Sequence, residues 1–469
     1  MDKQKFDVAI IGAGPGGYVA AIKAAQEGAK VCLIEKNFLG GACLNVGCIP
    51  TKTLLASAQV LEKIKHAADF GITTGPVSFD FVKMKMRKDG VIEKIRKSLE
   101  GLLTSNSITL LHGHAEFLSR NELKIRGEES AVIYADKVII ATGSAPLDIP
   151  AFPCDHKRIF NSTSILELTQ LPKTLAIIGG GYIGCEFATL YAELGVKVII
   201  LEALPTILAT QGEVIADTLT RSFTKKGIGI QTGVFVEGID QTEGGLSIRI
   251  KDKPPLACDA ALVAVGRKIV SGNLGLEKAG LSISDKGAIA VNDKMETAVP
   301  GIYAIGDVTG KFLLAHVASH QGLIAASNAL GKERKMHYNA VPAVIFTLPE
   351  VAAVGMTLEQ AAEAGLDAVI GKFPFLALGK SIAAADIEGF AQIVVERKTG
   401  QILGAQVIGH EASTLIAEMC LAIAGELTID CITDTIHAHP TLAEAWLEAA
   451  LLANNTPLHF PPKTKRSPS

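Results

Sequence analysis

The chain has no apolar run near the ~18 residues needed to cross a bilayer, and no block of like charge large enough to act as an interaction tail. Lysine plus arginine number 45 and aspartate plus glutamate 48, so no global field draws it to nucleic acid or to an anionic membrane. Only Lys463 to Arg466 is locally basic, and a solvated tail is the ordinary meaning of such a run at a chain end. Cysteine is also sparse. Eight residues, at 32, 43, 48, 154, 185, 258, 420 and 431, are too few and too scattered for the disulfide scaffold of a secreted domain. The first residues pass directly into the strand-like Phe6 to Ile11, so neither a signal nor a transit peptide is expected. The expectation is a reducing, cytoplasmic setting, in which any close pair of cysteines stands out.

What the chain does have is length and small residues. Its 469 residues allow two to four domains at the usual ~100–200 residues each. Hydrophobic residues make up 48% and alanine and glycine are prominent, which suits buried parallel sheets covered by small-residue helices.

One pattern occurs twice. Ile10 to Lys36 and Ile177 to Ala203 each read as a short apolar strand, a glycine-rich turn, an alanine-rich helix, a second apolar strand and a closing acid. Gly12, Gly14 and Gly17 fill the first turn, and Gly179, Gly181 and Gly184 the second. In such a βαβ unit the first glycine permits a tight bend, the second lets backbone N–H groups reach a pyrophosphate, and the third lets helix and strand pack closely. The pyrophosphate then sits at the positive end of the helix dipole. A lone glycine motif is a weak signal, but strand, turn, helix and acid in the same order twice point to two dinucleotide sites. Glu35 and Glu202 are the acids placed to accept ribose hydroxyls. Glu202 would repel a 2′-phosphate and Ala203 to Thr210 holds no Arg or Lys, so the second site is expected to prefer NAD. The plainer alternative for Glu202 is a solvated acid at a strand end.

Three further apolar runs end in or beside glycine, at Val138 to Gly143, Ala261 to Gly266 and Tyr303 to Asp307, as buried strands delivering a turn to a ligand do. The segment from about 55 to 105 reads as helical, with Leu54, Leu55, Ala58, Leu61 and Ile64 on one face. After about residue 340 short strands (Val394-Val395, Val407-Ile408) and a helical run from Ser413 to Gly425 suggest a separate α+β domain.

Cys43 and Cys48 lie in Gly40 to Lys52, GGACLNVGCIPTK. In a straight helix residues five apart rise about 7.5 Å and point some 140° apart, so their sulfurs could not bond. A disulfide here requires a bend, for which Gly47 and Pro50 are available. Cys48 would then stand near the start of a helix beginning at about Thr51, where the dipole favours a thiolate. A metal site would need further ligands, which no nearby Cys or His supplies. Two inert core cysteines remain the alternative. Near the C-terminus, Pro440 suits the first turn of a helix running to Leu452, with His439 at its boundary and Glu444 a turn later. A carboxylate-oriented His is a proton acceptor for a thiol, although an isolated His is more often structural.

The segment GGACLNVGCIPTK resembles the redox-active disulfide of the flavin-dependent pyridine nucleotide-disulfide oxidoreductases, and the likeness covers nearly the whole chain. It implies an α/β fold with two Rossmann-like dinucleotide-binding domains and a C-terminal α+β dimerisation domain. The implied boundaries are 1–145 with 270–338 for FAD, 146–269 for NAD, and 339–469 for a homodimer interface. FAD contacts would fall on Glu35, Lys52, Ala115, Gly143, Asp307 and Ala315, and NAD contacts on Ile183, Glu202, Val236 and Gly266. Cys48 would face the flavin and Cys43 exchange with substrate, while Lys52 and Glu186 match an ion pair near the flavin's reactive nitrogen. His439 resembles the base that serves the cysteine pair of the other subunit, with Glu444 its partner; His437 does not fall on that position.

Within the family, HAHPT, Glu202 and the ending Thr456 to Pro462 are similar to the dihydrolipoamide dehydrogenase branch. That implies oxidation of protein-bound dihydrolipoamide with NAD+, and partners among the lipoyl domains and E2 subunits of 2-oxoacid dehydrogenase complexes or in the glycine cleavage system. No metal is implied. Thr51 stands where Ser is common, and Leu378 to Ser381 where an Arg-containing segment is usual. The rival readings are an NADH-linked reductase of another disulfide and a non-catalytic flavoprotein docking subunit.

Overall fold

The structure, a computed structural model, describes residues 4–127 and 130–461. The basic run Lys463 to Arg466 lies outside the described residues. The chain divides into two units, the first formed by 1–172, 244–246 and 259–337, the second by 173–243, 247–258 and 338–469.

The first unit is built on β1 (Gln4–Ile11), α1 (Pro15–Gln26) and β2 (Val31–Glu35). Val8, Ala9 and Ile10 are wholly buried, because a central parallel strand is covered on both faces and so reads as a continuous apolar run. There follow α2 (Gly41–Val46), α3 (Cys48–Lys65), α4 (Phe81–Ser105), β3 (Thr109–His112), β4 (His114–Ser119), β5 (Glu122–Arg126) and β6 (Ala131–Ile140). The sheet order is β3-β2-β1-β6-β5-β4, and the strand Ile302–Ala304 also pairs with β6. Strands β3, β2, β1 and β6 run parallel, whereas β4, β5 and β6 are antiparallel. In register, Ile11 pairs with Ile34 and with Ile140, so the ends of β1, β2 and β6 line up at one edge, where the chain leaving β1 and β6 turns through Gly12 and Gly143. The helix Ala315–Ala329 packs on α1 through small residues: a Cβ added at Gly322 would come within 2.6 Å of the Gly16 carbonyl oxygen.

The expected helix from 55 to 105 is two helices. It breaks after Lys65 into a 3₁₀ turn, Ala67–Phe70, and an irregular stretch that ends where Asp80 caps α4 by accepting from Lys83 N at 3.1 Å. Lys88, 1% exposed, is fully engaged by Leu166 O, Glu167 and Asp89, as a buried ammonium must be.

The second unit repeats the plan with strand Thr174–Ile178, helix Tyr182–Glu193 and a parallel strand Lys197–Leu201, which pairs onward with Gly229–Gln231. Its C-terminal part is a five-stranded antiparallel sheet in the order Ala343–Ile345, Glu350–Gly355, Ile402–Gly409, Phe390–Glu396, Ala368–Pro374. The helices Ala412–Ala424 and Glu444–Ala453 close a core of Phe373, Ile393, Val407, Met419 and Trp446. The Trp446 indole N–H donates to Leu415 O at 3.0 Å, which satisfies the one polar atom that this side chain brings inside. Among the described residues no helix is long and apolar enough to cross a membrane.

Candidate active site

The two glycine turns are near copies. Gly12 and Gly179 have φ of +102° and +107°, a region that only glycine enters cheaply. A Cβ at Gly17 would lie 1.8 Å from the Gly12 carbonyl oxygen, and one at Gly184 would lie 1.9 Å from that of Gly179. These third glycines let the helix seat on its strand. The middle glycines differ: a Cβ at Gly14 would meet nothing closer than 4.0 Å, and one at Gly181 nothing within 4 Å. Space is left open where a ligand's phosphates would approach, and both residues are N-caps with no side-chain cap. The first amides of each helix therefore stay available to an anion.

Each closing acid also stitches its own turn. Glu35 Oε2 accepts from Ala13 N at 2.8 Å and Oε1 from Asn37 N at 2.8 Å. Glu202 Oε2 accepts from Gly180 N at 2.5 Å and Oε1 from Leu204 N at 2.7 Å. A carboxylate has about four acceptor positions, so each retains capacity for a ribose diol. Two open glycine cradles, each with a half-satisfied acid beside it, fit dinucleotides.

Two other predicted contacts follow strand ends. Gly143 follows β6 with φ +72°, and Gly266 has φ +138°; a Cβ at either would meet nothing within 4 Å. Ala115 is buried in β4, Ala315 opens its helix, Ile183 lies in the first turn of Tyr182–Glu193, and Val236 is buried at a strand start. Burial pushes the Asp307 carboxyl upward, opposed by Ser144 and Arg267. Ser144 Oγ donates to Asp307 Oδ2, and Arg267 Nε donates to Ser144 Oγ at 2.7 Å while lying 3.8 Å from Asp307 Oδ2. The antiparallel pairing of Ser144–Pro146 with Arg267–Ile269 brings the three together.

The cysteine pair straddles a helix break. Cys43 lies in α2 and Cys48 is the first residue of α3, with Gly47 between them at φ −144°, ψ −106°. The helix thus starts at Cys48 and not near Thr51. Pro50 sits inside its first turn and does not make the bend, since a proline there loses no intrahelical bond. Gly47 alone turns the chain, and it passes so close that a Cβ would lie 3.4 Å from Cys43 Cα. Thr51 Oγ1 donates back to Gly47 O at 2.7 Å, a role any hydroxyl at 51 can fill. The two thiols share a side-chain hydrogen bond. That bond and then burial raise the Cys43 thiol, while the Lys52 ammonium pulls the other way. Cys48 stands at the positive end of an 18-residue helix, where thiolate is favoured.

Residues remote in sequence hold this segment. Asn45 Nδ2 donates to Leu39 O and Gly41 O at 2.9 and 2.8 Å, and Arg96 of α4 donates to Asn45 Oδ1 through Nη2 at 2.7 Å. The Arg96 guanidinium also covers the Phe38 ring at 4.3 Å. Ser144, Arg267, Asn45 and Arg96 were not singled out from the sequence. Only Asn45, inside the cysteine motif, carried a signal there.

His439 Nδ1 bonds Glu444 Oε1 at 2.9 Å, and Glu444 Oε2 accepts from Thr441 N at 2.9 Å. Glu444 is the first residue of its helix, and Pro440 lies in the loop before it, joined to His439 by a cis peptide. The expectation that Pro440 opens the helix is therefore corrected: the Glu444 carboxylate reaches back to the loop amide instead. Burial would raise Glu444, but the Thr441 amide and His439 hold it below the usual carboxylate range. The His439 side chain is 77% exposed, leaving Nε2 outward. His437, by contrast, is 4% exposed, with Glu418 and the Thr435 carbonyl on its two nitrogens at 3.0 Å each; it is a satisfied structural His. Lys52 lies in the first unit, while Glu186, which accepts from Phe346 N at 3.0 Å, lies in the second.

Comparison with known proteins agrees in extent. Residues 6–322 match the pyridine nucleotide-disulphide oxidoreductase family, and residues 341–450 match its dimerisation domain. Dihydrolipoyl dehydrogenase of Chlamydia pneumoniae is 51% identical over 461 residues, covering 98% of this chain and all of that one. Its counterpart in Geobacillus stearothermophilus is 42% identical, over 96% of this chain and 97% of that one. Among solved structures, LpdA from Mycobacterium tuberculosis superposes with TM-score 0.90 at 27% identity, over 95% of this chain and 99% of that one. The HOCl-induced flavoprotein disulfide reductase RclA from Escherichia coli, as its Cu(II) complex, superposes with TM-score 0.86 at 32% identity, over 96% of this chain and all of that one. With matched segments that span nearly its whole length, the chain belongs to the pyridine nucleotide-disulphide oxidoreductase family.

Proposed function

We propose that the chain is a dihydrolipoyl dehydrogenase, which oxidises protein-bound dihydrolipoamide to lipoamide and reduces NAD+ to NADH. The observation that carries the reading is the contact between Cys43 and Cys48 at the start of α3. Residues 1–145 and 270–338 form the FAD domain, 146–269 the NAD domain and 339–469 the homodimer interface. Gly12, Gly14, Gly17, Glu35, Lys52, Ala115, Gly143, Asp307 and Ala315 would hold FAD. Gly179, Gly181, Ile183, Gly184, Glu202, Val236 and Gly266 would hold NAD, and Lys52 and Glu186 are the charged residues assigned to the flavin's reactive nitrogen. When bound, FAD supplies a two-electron relay from the sulfur pair to the nicotinamide.

The residues divide the work by acidity. His439 from a second copy of the chain, oriented by Glu444, takes the proton of one substrate thiol. The resulting thiolate attacks Cys43 Sγ, which breaks the Cys43–Cys48 bond and releases Cys48 as a thiolate. The second substrate thiol then attacks the first sulfur, forming the lipoamide disulfide and releasing Cys43, which takes the proton held on His439, and His439 accepts the proton of the second thiol. Two electrons and one proton now reside on the pair. The environments suit this outcome, since Cys43 is driven toward its thiol form and Cys48 is favoured as thiolate by the helix terminus.

The partners are the lipoyl domains and E2 subunits of 2-oxoacid dehydrogenase complexes or the glycine cleavage system, and the place of action is the cytoplasm, with a part in cell redox homeostasis. Anaerobic dihydrolipoamide added to the flavin-loaded protein gives a long-wavelength charge-transfer band, and Cys48→Ser abolishes lipoamide-dependent NADH formation. Full activity in Cys48→Ser would refute the scheme. The likeness to a flavoprotein disulfide reductase favours one second reading, NADH-linked reduction of another disulfide. Activity ratios with lipoamide and glutathione disulfide separate the two.

A further inference from the structure

A buried glutamine pair in the C-terminal sheet reaches the loop that follows Glu202. Gln392 and Gln406 face each other across adjacent strands, 3% and 5% exposed. Gln392 Nε2 donates to Gln406 Oε1 at 2.5 Å, and Gln406 Nε2 donates to the Gln211 carbonyl at 2.6 Å. The first bond orients the second, because a reversed Gln406 amide would set oxygen against oxygen. Packing alone is met more cheaply by apolar side chains, so two buried amides on one sheet face call for a reason.

The loop supplies that reason. Leu208 adopts φ +48°, ψ +39°, a left-handed conformation unfavourable for a leucine, and Gly212 follows at φ +84°. Such a backbone persists only where its surroundings over-determine it. One tie is at the nucleotide turn, where Leu208 N donates to Gly180 O at 2.9 Å while Gly180 N donates to Glu202. The other is Gln211, whose N–H bonds Leu208 O at 2.8 Å and whose carbonyl takes Gln406. A continuous chain of bonds therefore runs from Gln392 through Gln406, Gln211, Leu208 and Gly180 to the Glu202 carboxylate.

We infer that Gln406, oriented by Gln392, is a positioning residue for the second dinucleotide site, setting its affinity for NAD from the C-terminal sheet; this rests on the reading that the second site takes NAD. Titration calorimetry of NAD+ into the oxidised, flavin-loaded enzyme tests it. Gln406→Leu weakens NAD+ binding by about tenfold, the scale of one buried hydrogen bond, and leaves flavin content and anaerobic reduction by dihydrolipoamide unchanged. Gln406→Glu is near-isosteric, keeps the bond from Gln392 and turns the donor into an acceptor, so it also binds poorly at neutral pH. A buried carboxyl regains its proton readily, so its affinity returns toward wild type as pH falls from about 8 to about 6, while Gln406→Leu shows no such recovery. Wild-type affinity in folded Gln406→Leu, or a Gln406→Glu affinity that ignores pH, overturns the inference. A wild-type enzyme that binds no NAD+ overturns the reading of the site itself, and the inference falls with it.

Discussion

The second and third glycines of the second turn differ in what an added methyl would meet, so Gly181→Ala and Gly184→Ala should fail in different ways. At Gly184 the new Cβ would stand 1.9 Å from the Gly179 carbonyl oxygen. Real contacts begin near 3.0 Å, so helix and strand must separate by about 1 Å, an overpacking cost of ~1–3 kcal/mol. At Gly181 nothing lies within 4 Å, and φ −74°, ψ −176° suits alanine, so the fold loses only the few tenths of a kcal/mol to ~1 kcal/mol that separate Gly from Ala at an N-cap. That methyl instead occupies the space beside the helix amides. Displacing the pyrophosphate from one charge-assisted hydrogen bond costs ~1.5–3 kcal/mol, which corresponds to about 10- to 100-fold in affinity. Calorimetry of NAD+ binding and thermal unfolding, run on both variants, read the two effects separately. Gly181→Ala lowers the unfolding temperature less than Gly184→Ala does and still loses affinity; Gly184→Ala loses both. Wild-type NAD+ affinity in Gly181→Ala, or equal destabilisation of the two variants, would refute the reasoning.

His439→Gln lowers kcat with dihydrolipoamide by about 10²- to 10⁴-fold, the usual worth of a general base, whereas His437→Gln leaves kcat within about twofold and lowers stability by ~1–2 kcal/mol through its buried bonds; steady-state assays and urea unfolding of both variants check this. Glu444 is held below its ordinary value near 4.5, so the folded chain binds fewer protons there than the unfolded chain. Its stabilising contribution is whole above that ordinary value and is lost as pH falls through the lower folded value. Glu444→Gln, which keeps one acceptor oxygen and loses the charge, is therefore less stable than wild type at neutral pH, and the gap narrows as pH falls through that lower folded value; a gap that does not narrow on acidification contradicts the assignment. Arg96→Leu frees Asn45 and loosens the cysteine segment, and it accelerates alkylation of Cys43 in the reduced protein several-fold, measured by mass spectrometry under limiting reagent.

Much of the site was legible because its signals are local. A strand, a glycine turn, a helix and an acid lie within one short stretch, and each glycine's role follows from backbone sterics that the residue type itself declares. The middle glycines are open and the third ones tight in both copies, as the motif requires. The two cysteines were readable for the same reason. Their geometry was not, because proline and glycine were both plausible breakers, and what decides between them is where the helix begins. Thr51 closing on the Gly47 carbonyl makes Cys48 the first helical residue, which moves Pro50 into a turn that tolerates it.

From the residues alone come the repeated glycine turns, the apolar strands that end at glycine, the close cysteine pair and the His439–Glu444 pair, since each depends on neighbours a few positions apart. The supports required the fold. Arg96 reaches Asn45 from another helix, Arg267 and Ser144 meet Asp307 from distant strands, and Gln406 reaches Gln211 across the second unit. Such polar contacts form between segments distant in sequence and leave no periodicity behind, so only the packed chain, which must satisfy every buried donor and acceptor, decides which of them meet.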